Sequence, residues 1–300
     1  MKVGIDLGGS HIGIGLINED NIIISKNETF IKSSNIENLE EYIENFIVET
    51  LSNWIYKENY EITKVGIGIP GMVIDNVLKY SVNLGLSDFD LVSKLKNHFP
   101  NINFCIKNDA KCAALAEKNV GALKSFDDCI FLCLGTGIGG AAFYNGKMVE
   151  PKRCAGFEYG HIIIQKDGDV CRCGSKGCFE QYASMRKFKN LMKYNLNLDD
   201  EIEGQELKRI ILENKENPIV KNVIDEFINN LCIGISNIVN ILEPQAICIG
   251  GGFSEYKDLL LEDLRKEFYS KKYLFYKENM PEILIAELEN DAGIIGSTFI

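Results

Sequence analysis

Alternating strands and helices, an internal repeat and a length of 300 residues together predict an α/β protein built from two related lobes. Short apolar runs bounded by Gly, Asn and Asp read as strands over 2–5, 12–17, 22–29, 65–69, 104–107, 129–134, 141–144, 246–249 and 283–285. Apolar residues recur at helical spacing over 39–54, 110–118, 218–242 and 256–268, which implies a mixed sheet with helical cover. The polar stretch 195–217 reads as a surface connection between helices.

The repeat is the most informative of these features. Residues 2–24 read as strand, glycine-rich turn (Asp6-Leu7-Gly8-Gly9-Ser10), strand, polar turn, strand. The same order returns over 129–150, with Gly135-Thr136-Gly137-Ile138-Gly139-Gly140 as the glycine-rich turn and Asn145-Gly146 as the hairpin signal. Two lobes are expected, 1–117 joined by a C-terminal helix at 290–300, and 118–289, with the two glycine turns facing a shared cleft.

Composition narrows the classes of function. With 46% hydrophobic and 25% charged residues the chain has a globular balance, and no apolar run approaches the roughly 18 residues that span a bilayer. The opening residues run straight into a strand and carry no secretory pattern, so a cytoplasmic protein is expected. Lys+Arg 32 against Asp+Glu 43 leaves a formal net charge of -11, which disfavours nucleic acid and anionic lipid as partners. Any phosphate must then be held locally, by backbone or by a metal.

Gly135, Gly137 and Gly140 match G-x-G-x-x-G, yet 141–144 followed by Asn145-Gly146 reads as strand and hairpin. A dinucleotide fingerprint opens a helix instead. Two such turns, the first beginning with Asp6 as a candidate Mg²⁺ ligand, favour phosphate binding through successive backbone N–H groups over hairpin geometry alone. Gly250-Gly251-Gly252 follows a strand and precedes a helix, where backbone could lie against a flat ring, or simply turn. Asn108-Asp109-Ala110 stands between a strand and an alanine-rich helix, so Asp109 is either part of a helix cap or a general base for a substrate hydroxyl.

Ten cysteines in a chain expected to stay in the reducing cytosol do not read as a disulfide framework. Cys105, Cys112, Cys129, Cys133, Cys232 and Cys248 sit in or beside apolar runs and read as packing; Cys154 is ambiguous. His161, Cys171, Cys173 and Cys178 form H-x9-C-x-C-x4-C, with glycines that let the chain close around one point. That pattern suits a closed tetrahedral Zn²⁺ site of structural kind, the alternatives being chance clustering or a regulatory disulfide.

Together these segments resemble the ROK family, which groups bacterial sugar kinases and sugar-responsive repressors in the actin-like, hexokinase-like ATPase fold of duplicated ribonuclease H-like domains. Asp6-Leu7-Gly8-Gly9-Ser10 looks like its first phosphate motif, 135–140 like the second (Gly135, Thr136, Gly137, Gly139), and Gly251-Gly252 like the adenosine motif. Glu158-Tyr159-Gly160-His161 with Cys171, Cys173, Cys178 and Glu180 resembles the E-x-G-H and zinc signature. The resemblance implies ATP, Mg²⁺ and structural Zn²⁺ as cofactors, a hexose as substrate and a homodimer. It makes Asp109 the base, with Asn108, Glu158, His161 and Glu180 on sugar hydroxyls and Gly71 and Asn83 closing the pocket. Glucose is the first expectation, with N-acetylmannosamine, N-acetylglucosamine or fructose as alternatives. A repressor needs a helix-turn-helix ahead of the first strand, and with Asp6 arriving after five residues none is expected; a sugar-binding regulator without kinase activity is the reading of another class. Three positions depart from the family pattern. His11 follows the first phosphate turn in place of a lysine-like residue, Phe157 replaces a glycine, and Leu86 stands near where many glucokinases carry tryptophan.

Overall fold

A computed structural model describes the chain at residues 1–31, 36–151, 156–270, 278 and 280–300; Cys154 lies outside the described residues. It divides into two compact units, one of Met1–Ser125, Glu150–Gly156 and Glu287–Ile300, the other of Phe126–Val149 and Phe157–Ala286.

The first unit begins with β1 (Lys2–Leu7), β2 (His11–Ile17) and β3 (Ile23–Phe30), followed by α1 (Leu39–Ser52) and β4 (Lys64–Ile69). A small three-stranded sheet of β5 (Met72–Ile74), β6 (Val77–Ser81) and β7 (Leu86–Phe89) comes next, then α2 (Leu91–His98), β8 (Asn103–Asn108) and α3 (Asp109–Asn119). Asn38, Asp90 and Asn108 each accept the backbone N–H three residues on, which sets the starts of α1, α2 and α3. The second unit holds β9 (Cys129–Leu134), β10 (Ile138–Tyr144), β11 (Lys147–Met148), α4 (Glu180–Ala183), α5 (Met185–Leu196), α6 (Gly204–Glu213), α7 (Pro218–Leu242), β12 (Ala246–Gly251), α8 (Gly252–Glu255), α9 (Lys257–Tyr269) and β13 (Glu282–Ile285). The closing helix α10 (Ala292–Ser297) belongs to the first unit.

The repeat becomes a shared topology. The first unit's main sheet has the order β3-β2-β1-β4-β8 and the second's β11-β10-β9-β12-β13. In each, three antiparallel strands are followed by two that run parallel to the first.

Strand periodicity decides what lies on either face of the first sheet. Val3, Ile5, Leu7, Ile12, Ile14, Leu16, Val65, Ile67 and Ile69 are buried in one core cluster with residues of α1 and α2. The intervening Gly4 and Gly66 face α10, and a Cβ on either would collide with the carbonyl oxygens of Ile294 and Ser297. Glycine here lets a helix backbone lie directly on strand backbone. The second unit's core gathers Ile130, Leu132, Phe188, Phe227, Leu231, Ile247, Ile249 and Phe253 around α7.

Several elements differ from the sequence expectation. Residues 195–217 contain α6, whose Leu207 and Ile211, one helical turn apart, are fully buried; the polar residues around them hid a narrow apolar stripe. Strand β10 starts at Ile138, with Gly139 opposite Cys133, so the glycine turn is confined to 135–137. The first unit extends past 117 to Ser125 because the turn after α3 folds back: Leu123 is buried and its N–H donates to the Glu117 carbonyl at 2.9 Å.

Candidate active site and metal centre

In the first unit the glycine turn Gly8-Gly9-Ser10 joins β1 to β2, closed by a bond from the Gly8 N–H to the His11 carbonyl at 2.8 Å. The His11 ring lies against Gly8, within 2.9 Å of where a Cβ would sit, so this side chain packs on the turn. Asn83, in the turn between β6 and β7, faces Gly9 at 3.6 Å by the same measure.

Asn108 ends β8 and caps α3, its Oδ1 accepting the Lys111 N–H at 3.3 Å while its Nδ2 donates to the Gly71 carbonyl at 3.2 Å. Gly71 has φ of 132°, and a Cβ there would stand 3.0 Å from that of Ser81. Asp109 is the first residue of α3, and its Oδ1 accepts the Ala110 N–H at 2.8 Å. Asn108 thus fills the capping role, which leaves Asp109 available for chemistry. Burial raises the Asp109 carboxyl above the ordinary carboxylate range, partly opposed by its backbone bonds. Asp6 is pushed up to about 7, first by burial and then by the Asp109 charge. A buried carboxyl whose ionisation a neighbouring carboxylate disfavours suits a bound cation or a proton. Lys107, next to Asn108 in sequence, is engaged by Glu150.

Gly293, in α10, escaped the sequence reading. A Cβ on it would lie 2.6 and 2.7 Å from Asp6 Oδ2 and Oδ1, so the glycine makes space for that carboxylate. No local pattern near residue 293 announces this, because the partner is 287 positions away.

In the second unit the turn Gly135-Thr136-Gly137 joins β9 to β10, with Gly135 N–H on the Gly137 carbonyl at 3.0 Å and Arg186 N–H on the Gly135 carbonyl at 3.1 Å. Gly251, with φ of 69°, sits opposite Leu134 on the neighbouring strand, so the 250–252 turn and the 135–137 turn emerge side by side. Gly252 then begins α8.

His161, Cys171, Cys173 and Cys178 form the only cluster of metal-ligand type among the described residues, their donor atoms all within 4.8 Å of one another. The Cys173 and Cys178 sulfurs are 3.6 Å apart, and His161 Nδ1 is 3.8 Å from Cys171 Sγ. A tetrahedron with metal–sulfur bonds of about 2.3 Å has edges near 3.8 Å, so the donor set fits zinc, whereas a disulfide needs about 2.05 Å. Glu180, the first residue of α4, brings Oε1 within 3.2 Å of Cys171 Sγ, while its Oε2 lies 2.5 Å from where a Gly137 Cβ would be. Gln181 adds Nε2 at 3.5 Å from Cys171 Sγ and 3.3 Å from Glu180 Oε1, a contact the sequence reading did not include. Glu158 precedes the helical turn Tyr159–His161, its carbonyl accepting the His161 N–H at 3.1 Å.

The cluster titrates unevenly. The Ser175 backbone N–H lowers Cys173 to about 7, whereas burial raises Cys171, and Cys178 to about 12. Since thiolates bind the metal, loading must release protons from Cys171 and Cys178, and chelator should strip the metal more readily at pH 6 than at pH 8. Metal analysis of protein purified without chelator should find about one zinc per chain, by the count of four donors. Zinc-free protein from such a preparation would remove the metal reading.

Phe157 has a left-handed backbone, with φ of 62°, a conformation that favours glycine. Left-handed backbone costs a residue with a Cβ about 1–2 kcal/mol, and here the ring offsets it by packing against the second unit's core, edge-on to Tyr159 at 6.4 Å. Leu86, opening β7, packs on the first unit's core.

Matching hairpin-led sheets with a glycine turn between the first two strands of each define an actin-like ATPase fold of α/β class. Across residues 2–300 the chain matches the ROK family, and it belongs to that family. It is 28% identical to a glucokinase of Thermotoga maritima over 99% of this chain and 96% of that protein. It is 29% identical to an N-acetyl-D-glucosamine kinase of Vibrio atlanticus, covering 100% of this chain and 99% of that one. Xylose repressors also stand among its relatives. Among solved structures, a ROK family glucokinase from Streptomyces griseus in complex with glucose and AMPPNP superposes with a TM-score of 0.81 at 28% identity, over 99% of this chain and 98% of that one. No helix among the described residues is long and apolar enough to cross a membrane.

Proposed function

We propose that the protein is an ATP-dependent hexokinase that transfers the γ-phosphate of ATP to the 6-hydroxyl of a hexose, with glucose as its substrate. The observation that carries this reading is the placement of Asp109. It opens a helix already capped by Asn108, has its carboxyl raised by burial, and acts electrostatically on Asp6. A carboxylate held above its ordinary range is a stronger base for the proton of an alcohol. The 6-hydroxyl oxygen attacks the γ-phosphorus, its proton passes to the Asp109 carboxylate, and the bond from that phosphorus to the β–γ bridging oxygen breaks to leave ADP.

The other residues take roles consistent with their surroundings. Asn108, whose Nδ2 donates to the Gly71 carbonyl and whose side chain also bonds the Asp109 carboxyl, would meet a sugar hydroxyl beside the base. His161, with Nδ1 toward the cysteine cluster, offers Nε2 to the sugar, and Glu158 and Glu180 accept from sugar hydroxyls. Gly71 and Asn83 complete the sugar pocket. The backbone of Gly8, Gly9, Ser10, Gly135, Thr136, Gly137 and Gly139 meets the phosphates, and Gly251 and Gly252 meet the adenosine. Asp6 would hold Mg²⁺, which supplies positive charge to the phosphates when bound. The cysteine cluster would hold a structural Zn²⁺. The same reading makes the protein a cytoplasmic homodimer, a state that sedimentation of the purified chain would report.

N-acetylmannosamine, N-acetylglucosamine and fructose are the alternative substrates. The xylose-repressor relatives support a different reading, a sugar-binding regulator without turnover. A coupled assay of ADP release across glucose, mannose, fructose, allose, N-acetylglucosamine and N-acetylmannosamine separates them. The expected result is the highest kcat/KM with glucose. A higher value with an N-acetylhexosamine reassigns the substrate, and sugar binding by calorimetry with no ADP release from any of the six overturns the kinase.

A further inference from the structure

Glu117, near the C-terminal end of α3, is fully buried, an uncommon place for a carboxylate. Its oxygens are met by backbone N–H groups. Oε2 accepts the Ala122 N–H at 2.9 Å, while Oε1 accepts the N–H groups of Glu287 and Leu288, each at 2.9 Å. The Leu123 N–H adds a bond to the Glu117 carbonyl at 2.9 Å, and a Cβ on Gly121 would collide with Oε2.

The partners are not arbitrary pieces of chain. The polypeptide first leaves the first unit after Ser125, directly beyond the 121–124 turn, and returns to it for the last time at Glu287. One carboxylate therefore grips the last turn before the first crossing and the first residues after the final one. We infer that Glu117 is the common anchor of both crossings, and so a positioning residue for phosphoryl transfer. The inference rests on the kinase reading above for its second half only. Glu117 lies on α3, the helix that Asp109 opens, and the residues it holds at 287–288 lead into α10, whose Gly293 makes room for Asp6, so one carboxylate ties together the two helices on which both carboxyls of the candidate site depend. An apolar side chain could fill the same space but could not accept three N–H groups, and those donors would then be buried without partners.

Glu117→Gln keeps the volume and one acceptor but turns an NH2 toward one set of donors, whereas Glu117→Ala removes both acceptors. Hydrogen exchange of the unliganded proteins should show the amides of 122–123 and 287–288 exchanging about tenfold faster or more in Glu117→Gln, and faster still in Glu117→Ala, while those of β1 and β9 stay protected. With the sugar that the wild type phosphorylates, kcat should fall about tenfold in Glu117→Gln while the sugar Kd from calorimetry stays within about twofold. Unchanged exchange at either crossing in a folded Glu117→Gln protein overturns the shared anchor. Faster exchange with unchanged kcat overturns the positioning role and leaves a purely structural one. Failure of the wild type to release ADP with any sugar is a failure of the kinase reading alone, since exchange still decides the anchor.

Discussion

Asp109→Asn is expected to lower kcat by about 10²–10⁴, the usual worth of a general base, with sugar affinity largely kept. The asparagine retains the shape and the acceptor that takes the Ala110 N–H, so α3 should start where it does now. What disappears is the proton acceptor and a negative charge that presses on Asp6. The second loss gives an independent readout. Both carboxyls lie above their ordinary value, Asp6 at about 7, so the folded chain binds more protons than the unfolded one between pH 4 and about 7. Stability contributed by the protonated pair is present at low pH and lost as pH rises through that window. With Asp109 neutral, Asp6 ionises more easily, so Asp109→Asn should melt a few degrees higher than the wild type at pH 8 and about equally at pH 4. Kinetics and thermal melts of the two proteins test both halves. Near-normal turnover in the variant sinks Asp109 as the base, and a lower melting temperature at pH 8 sinks the electrostatic account.

Gly293→Ala should damage activity from a position that no motif marks. The new Cβ would arrive between 2.6 and 2.7 Å from the two Asp6 oxygens, and α10 has little room to withdraw, since its carbonyls at Ile294 and Ser297 already lie on Gly4 and Gly66. Overpacking of this kind costs about 1–3 kcal/mol, which chemical denaturation would measure. The Asp6 carboxylate is the group that can turn away, and turnover should fall more than tenfold with it. In an Asp6→Asn background the same alanine should have little further effect on kcat, because the group it displaces has already lost its charge. Full additivity of the two substitutions would show that Gly293 acts through something other than Asp6.

Much of this protein could be read along the chain because the signals are local. The hairpin-led repeat at 2–24 and 129–150 needed only strand alternation and turn glycines, and it reappears as two sheets of identical strand order. The cysteine–histidine spacing is legible because all but His161 fall within eight residues, and short loops must bring such donors together. Asn108 as cap and Asp109 as neighbour were both visible, but which of them capped the helix was settled only by the bond from the Lys111 N–H to Asn108 Oδ1.

Other features carried no local signal. Leu207 and Ile211 are two apolar stripe positions in a polar window, and only a core waiting to receive them makes α6 a buried helix. The sheet of β5, β6 and β7 is built from strands of three to five residues, too short for alternation to stand out. Phe157 reads as a departure from a glycine, and the structure adds that its backbone is left-handed while aromatic packing offsets the cost.

By itself, then, the sequence determined the α/β class and the duplicated hairpin plan, and it marked the histidine–cysteine cluster and the candidate base, since each depends on residues close together along the chain. Tertiary structure alone decided that Gly4 and Gly66 face the closing helix, that Gly293 makes room for Asp6, and that Glu117 holds residues 122, 287 and 288. Those pairings join positions from five to nearly three hundred residues apart, and whether a methyl group fits or a buried carboxylate finds its donors depends on the packed backbone, to within a few tenths of an ångström.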